Sequence, residues 1–144
     1  MYRFAYRLSR DADTAADLVQ DSFLKLWEYG SDVEDPAAFL YTVLYRVFAD
    51  AVRRGRLRTH YGQMAQTGPA VAFDRAIERM EWRDYMAEAM AALPEVQRAV
   101  LLLRDYEGYS YAEIGGMTGL SESQVKVYLF RARVKMKTLL QHRK

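Results

Sequence analysis

The chain has 144 residues, 51% of them hydrophobic, with a net charge of +2 and no cysteine. This length holds one domain or two small ones, and the lack of thiols excludes a disulfide framework and a thiolate metal site. No apolar run reaches the roughly 18–20 residues of a membrane span. The N-terminus lacks the charged-then-apolar pattern of a signal peptide, so a cytoplasmic protein without membrane insertion is expected.

The small net charge hides a strong asymmetry. Asp11 to Asp35 carries eight acids against the single base Lys25, Arg53 to Arg58 carries four arginines and no acid, and Ser121 to Lys144 carries seven bases against Glu122. Polyanionic DNA repels the first segment and attracts the other two. The pattern predicts one acidic surface for a protein partner and two basic surfaces for nucleic acid.

In chain order the pattern is helical throughout. Met1 to Ser9 reads as the end of a helix with Phe4 and Leu8 on one face. A second helix is predicted over 14–28, capped by Asp13, with an apolar stripe of Ala15, Leu18, Val19, Ser22, Phe23, Leu26 and Trp27. Gly30-Ser31-Asp32 ends it. Asp35 as N-cap and Pro36 at the first helical position start a third helix that runs to about Arg54. Its buried side is predicted to be Phe39, Leu40, Val43, Leu44, Val47, Ala51 and Val52. Tyr41 and Tyr45 fall together beside that side, with Arg46, Arg53 and Arg54 towards solvent. Aromatic rings interleaved with arginine suit stacking on unpaired bases, although packing at a domain edge is the commoner role for such tyrosines.

Gly55 to about Val71 breaks the periodicity and reads as a linker. Helical pattern resumes at about Phe73, Leu93-Pro94 marks a fresh start, and the next helix stops at Gly108. A helix-turn-helix follows. Ser110 with Glu113, and Ser121 with Gln124, each fit a capping box. Gly119 sits where the turn needs a positive φ, and Leu120 and Val125 pack the second helix on the first. That second helix is short, capped and basic, which suits insertion into a major groove. Gln124 either reads adenine or closes its capping box. The predicted fold class is all-α: two small helical domains joined by a flexible linker, the second ending in the helix-turn-helix.

Asp17-Leu18-Val19-Gln20-Asp21-Ser22-Phe23-Leu24-Lys25-Leu26-Trp27, Asp35-Pro36-Ala37-Ala38-Phe39-Leu40-Tyr41 and Asp50-Ala51-Val52-Arg53-Arg54 together resemble region two of the extracytoplasmic-function sigma factors of bacteria. Leu93-Pro94, Glu107-Gly108-Tyr109-Ser110-Tyr111-Ala112-Glu113-Ile114 and Val125-Lys126 to Arg133 resemble region four. The resemblance covers nearly the whole chain. It implies region two over 1–55, short at its N-terminus, a linker over 56–72, and region four over 73–144. It also implies a sigma factor that binds core RNA polymerase through the β′ coiled coil and the β flap and directs initiation at promoter DNA, with an anti-sigma factor as a further possible partner. Asp17, Gln20, Asp21 and Leu24 match the polymerase-binding surface. Tyr41, Tyr45, Arg46, Asp50, Arg53 and Arg54 match the face that recognises and melts the minus-ten element, where capture of an unstacked base drives melting. Ser123, Gln124, Lys126, Val127, Tyr128, Arg131 and Arg133 match the minus-thirty-five reader, the last two as phosphate holders. The sequence departs from the family pattern at Arg46, usually asparagine, at Gly115, often alanine, and at Gln124, often threonine.

A helix-turn-helix regulator acting without polymerase would share the C-terminal half but leaves the acidic second helix unexplained. A degenerate sigma-like regulator that binds without initiating is a further alternative. An enzyme is not expected: His60 and His142 are the only histidines, Asp32, Glu34 and Asp35 read as a solvated capping loop rather than a cation site, and no phosphate loop or dinucleotide fingerprint is present. No cofactor and no metal are expected.

Overall fold

The computed structural model of the chain describes residues 1–55 and 82–141. The predicted linker, the helix start at Phe73, and both histidines lie outside the described residues. All regular structure among the described residues is helical.

Helix α1 (Tyr2–Ser9) buries Phe4, Ala5 and Leu8 and ends at Arg10, whose φ of 60° is left-handed. Helix α2 (Ala12–Tyr29) is capped by Asp11 and not by the predicted Asp13. The chain is still extended at Asp11, and its carboxylate accepts from both the Thr14 N–H (2.9 Å) and the Thr14 hydroxyl (2.6 Å). Those two donors hold the Asp11 carboxyl below its ordinary pKa. Ala15, Leu18 and Ser22 of the predicted stripe are buried, but Phe23 and Trp27 are exposed, Trp27 by 86%. A 3-10 turn (Gly30–Asp32) leads to α3 (Pro36–Arg53), where Asp35 accepts from the Ala38 N–H at 3.1 Å. The buried face of α3 is Leu40, Leu44, Tyr45 and Phe48. Phe39, Val43, Val47, Ala51 and Val52 are only half-buried, so the face is rotated from the predicted one.

Helix α4 (Trp82–Ala91) is followed by α5 (Glu95–Leu101), which widens into a π turn (Leu102–Tyr106). There the Glu107 N–H donates to the Leu102 carbonyl at 3.0 Å. Gly108, at φ 79°, ends the element. Helix α6 (Tyr111–Thr118) and α7 (Glu122–Gln141) form the helix-turn-helix. Both predicted capping boxes close: Ser110 with Glu113 at 2.9 and 3.1 Å, and Ser121 with Gln124 at 2.9 and 3.1 Å. Gly119 takes the left-handed turn, φ 80°. Gly115 has a different task. A Cβ there would stand 2.8 Å from the Leu120 carbonyl oxygen, so only glycine lets the turn close this tightly. Gly115→Ala gains about 1 kcal/mol of helix propensity but incurs an overpacking cost of about 1–3 kcal/mol against backbone. A net loss near 1 kcal/mol is expected in urea unfolding, and a gain in stability would show that the turn yields freely.

The two halves share one core. Phe4, Leu8, Leu18, Leu44 and Phe48 join Leu93, Val100, Leu102, Ile114 and Met117 in a single buried cluster. Helix α3 lies along α6, and α1 contacts α4 and α5. Halves of this size are marginal alone, because too little of their surface can be buried; docking on each other meets that need. At the junction Arg98, 1% exposed, donates from Nη1 to the carbonyls of Ala91 (3.1 Å) and Leu93 (3.0 Å), and from Nη2 to Leu8 of α1 (2.6 Å).

Candidate protein and nucleic-acid interfaces

Helix α2 turns a mixed acidic and apolar face to solvent. Asp17, Gln20, Asp21 and Leu24 are all exposed and fall on one side at helical spacing. Phe23 and Trp27 continue that side, 50% and 86% exposed. Sequence periodicity assigned these two rings to the core, because a stripe that binds a partner and one that fills a core have the same period. Exposed large apolar side chains grouped in this way and rimmed by carboxylates are uncommon on a face that only meets water.

On α3 the predicted nucleic-acid residues divide. Tyr41 is half-buried: its ring packs edge-on against Phe4 (5.0 Å) and Tyr109 (5.7 Å), and its hydroxyl donates to Glu107 Oε2 at 2.8 Å. Burial first, then the Glu107 carboxylate, pushes the phenol pKa well above its ordinary value, so Tyr41 stays a neutral donor. Tyr45 is 6% exposed, and burial likewise raises its pKa, with the charge of Glu95 adding. Arg46 is exposed but reaches across to the Gly116 carbonyl at 3.0 Å. Asp50 is held by Arg53 and by Arg54 Nε, both at 3.2 Å. A cleft of about 600 Å³ runs between the halves, lined by Tyr45, Arg46, Asp50 and Arg53 opposite Glu95 and Thr118.

On α7, Val125, Leu129, Ala132 and Met136 are buried. Ser123, Gln124, Lys126, Val127 and Arg131 lie exposed at and after the capped N-terminus, with Tyr128 half-buried. Lys126 stands 5.6 Å over the Tyr111 ring and Arg131 5.9 Å over Tyr128, which braces the flexible cations. Phe130 and Val134 extend the exposed face. Arg133 departs from its sisters: it grips Asp105 through Nε (3.2 Å) and Nη2 (2.6 Å), a bond that raises its pKa further. The Ser121 N–H donates to Gln124 Oε1, so this side chain closes its capping box. Among the described residues there is no cluster able to hold a metal ion, and no helix long and apolar enough to cross a membrane.

The family model Sigma-70 region 2 matches residues 1–58, and Sigma-70, region 4 matches residues 83–136. The ECF RNA polymerase sigma factor SigL of Mycobacterium tuberculosis is 32% identical over 98% of this chain and 82% of its own. The ferric citrate uptake sigma factor FecI of Escherichia coli is 32% identical over 88% of this chain and 76% of its own. Among solved structures, the sigma factor RpoE of Bartonella quintana, crystallised with the anti-sigma factor NepR, superposes with a TM-score of 0.73 at 26% identity, covering 97% of this chain and 89% of its own. Two sigma-70 regions in order, with described residues whose regular structure is all helical and includes a capped helix-turn-helix, show that this protein belongs to the extracytoplasmic-function sigma factors, which bind core RNA polymerase and direct it to promoters.

Proposed function

We propose a division of labour among three helices. The exposed face of α2, with Asp17, Gln20, Asp21 and Leu24 and the added rings Phe23 and Trp27, grips the polymerase β′ coiled coil. Helix α3, with Tyr41, Tyr45, Arg46, Asp50, Arg53 and Arg54, captures the minus-ten element. Helix α7 reads the minus-thirty-five element with Ser123, Val127 and Tyr128, its start held by the Gln124 cap; Lys126 and Arg131 hold phosphate, and Arg133 flanks them already paired with Asp105. The domain bounds we assign are 1–55, 56–72 and 73–144. The chain does no chemistry itself: nucleotide addition belongs to the polymerase, and the cytoplasm is where the two meet. An anti-sigma partner is proposed by analogy with RpoE.

The observation that carries this reading is the separation of exposed acid on α2 from the exposed polar and basic start of α7. Electrostatics steer the first towards protein and the second towards DNA. The test is transcription in vitro with purified core polymerase on a promoter library. Specific initiation is expected; none on any template, with the chain folded, rejects the reading. Neutralising Lys126 and Arg131 together should weaken promoter binding at least tenfold and lower the salt slope by about 2, near 0.9 for each lost phosphate contact. An unchanged slope measured from 50 to 200 mM salt would remove both residues from the DNA contact set.

A further inference from the structure

We infer that the free protein pairs with a second copy of itself, the exposed acidic face of α2 on one copy seating on the exposed basic face of α7 on the other, with Trp27 as the anchor. Of the ten exposed large apolar side chains among the described residues, four stand on α2 (Phe23, Leu24, Trp27 and Tyr29) and three on α7 (Val127, Phe130 and Val134). Gln20, Leu24 and Trp27 recur at i, i+4 and i+7, and Val127, Phe130 and Val134 at i, i+3 and i+7. Both are the spacing of a seam between two helices. These seams are not the faces used within the chain: α2 packs against α1 and α3, and α7 against α4, α5 and α6, through other residues.

The flanks of the two seams have opposite sign. Asp17, Asp21 and Glu28 border the first, Lys126, Arg131, Lys135 and Lys137 border the second, and all are exposed. Among the described residues no ion pair engages Asp17, Asp21 or any of those bases. Two α7 faces laid together would set base against base, and two α2 faces acid against acid. Only the crossed pairing, α2 on α7, brings opposite charges together. A net charge of +2 leaves little overall repulsion between copies.

A hollow beside the α7 seam supplies the socket. It measures about 460 Å³ and lies between Pro94 and Gln97 at the start of α5 and Phe130, Val134 and Leu139 of α7. Trp27, 86% exposed, is the largest side chain of the α2 seam, and tryptophan seated in a pocket is among the commonest carriers of binding energy at interfaces. Arg131 and Lys135 line the same hollow and offer cations to the indole face. Around a two-fold axis each copy gives α2 and receives on α7, so the contact is made twice and closes a dimer. The pairing takes up the faces proposed for polymerase and for promoter DNA, and so competes with both.

Sedimentation velocity on the full chain, with neither polymerase nor DNA present, tests the pairing apart from the promoter reading. A dimer with a dissociation constant of about 10 μM is expected, in keeping with a modest interface. Screening should weaken it roughly fivefold between about 50 and 500 mM salt. Trp27→Arg removes the anchor and sets a base against bases; Phe130→Glu breaks the socket wall and sets an acid against acids. Each variant alone should be monomeric. Mixed in equal amounts they should dimerise, because one contact is then native and the other opposes two introduced charges of opposite sign. Should circular dichroism show that either has lost helix, Asp21→Lys replaces the first and Lys135→Glu the second. A wild type still monomeric at about 200 μM, roughly twentyfold above the expected constant, overturns the pairing. A dimer that survives Phe130→Glu overturns it, as does one that survives Trp27→Arg, which places α7 on α7. A mixture that stays monomeric overturns it as well.

Discussion

Replacing Arg98 with alanine is expected to cost the fold about 3–6 kcal/mol. Its guanidinium satisfies three backbone carbonyls, those of Ala91, Leu93 and Leu8. A buried acceptor left without a donor costs about 1–3 kcal/mol, and loss of the side chain adds a cavity. Against a typical total of about 5–15 kcal/mol, this is a large share. Burial lowers the Arg98 pKa to about 10, with the nearby Glu95 charge opposing the shift, so the group remains a cation at neutral pH. Arg98→Met refills much of the volume but supplies no donor and should recover only part of the loss. Urea unfolding measures both, and an alanine variant with an unchanged midpoint would show that these carbonyls find other donors.

Reversing Asp21 should weaken polymerase binding about 100-fold while leaving the isolated chain as stable as before. Asp21 is exposed, and no ion pair holds it among the described residues. Its replacement by arginine therefore disturbs little within the fold. At a basic partner surface, a like charge in its place costs several kcal/mol. Fluorescence anisotropy with core polymerase reads the affinity, and thermal melting reads the stability. Full affinity in the Asp21→Arg variant would move the polymerase contact elsewhere on the chain.

Local chemistry was legible in the sequence where it is decided locally. Ser110, Ser121 and Asp35 cap as their spacing predicts, Gly119 turns as it must, and Pro36 opens α3. Asp11 displaced Asp13 as cap because two acids compete within three residues, and only the backbone path tells which one is still extended. Tertiary placement was less legible. Tyr45 and Phe48 face the core because the C-terminal half packs on α3, and nothing in the third helix alone reports that neighbour. Trp27 and Phe23 follow a core-like period yet remain in water. Nothing local to α5 marks Arg98; its burial follows from where α1 comes to rest, about ninety positions away. On the α7 face, Ser123, Lys126, Val127 and Arg131 lie exposed at the helical spacing the sequence implies, whereas the engagement of Arg133 with Asp105 depends on the geometry of the preceding turn.

That turn has its own consequence. The π geometry over Leu102–Tyr106 fits one residue more into the same rise than a regular helix does, and each residue corresponds to about 100° of rotation. The extra residue sets the bearing of everything after it: Arg104 meets the Tyr109 carbonyl and the Tyr111 ring, Asp105 meets Arg133, and Tyr106 meets Arg7. Deleting a single codon there would straighten the helix and swing all three side chains away from their partners. A one-residue insertion thus does the work of a rebuilt loop, re-aiming the DNA-reading hairpin relative to the rest of the molecule without introducing a joint.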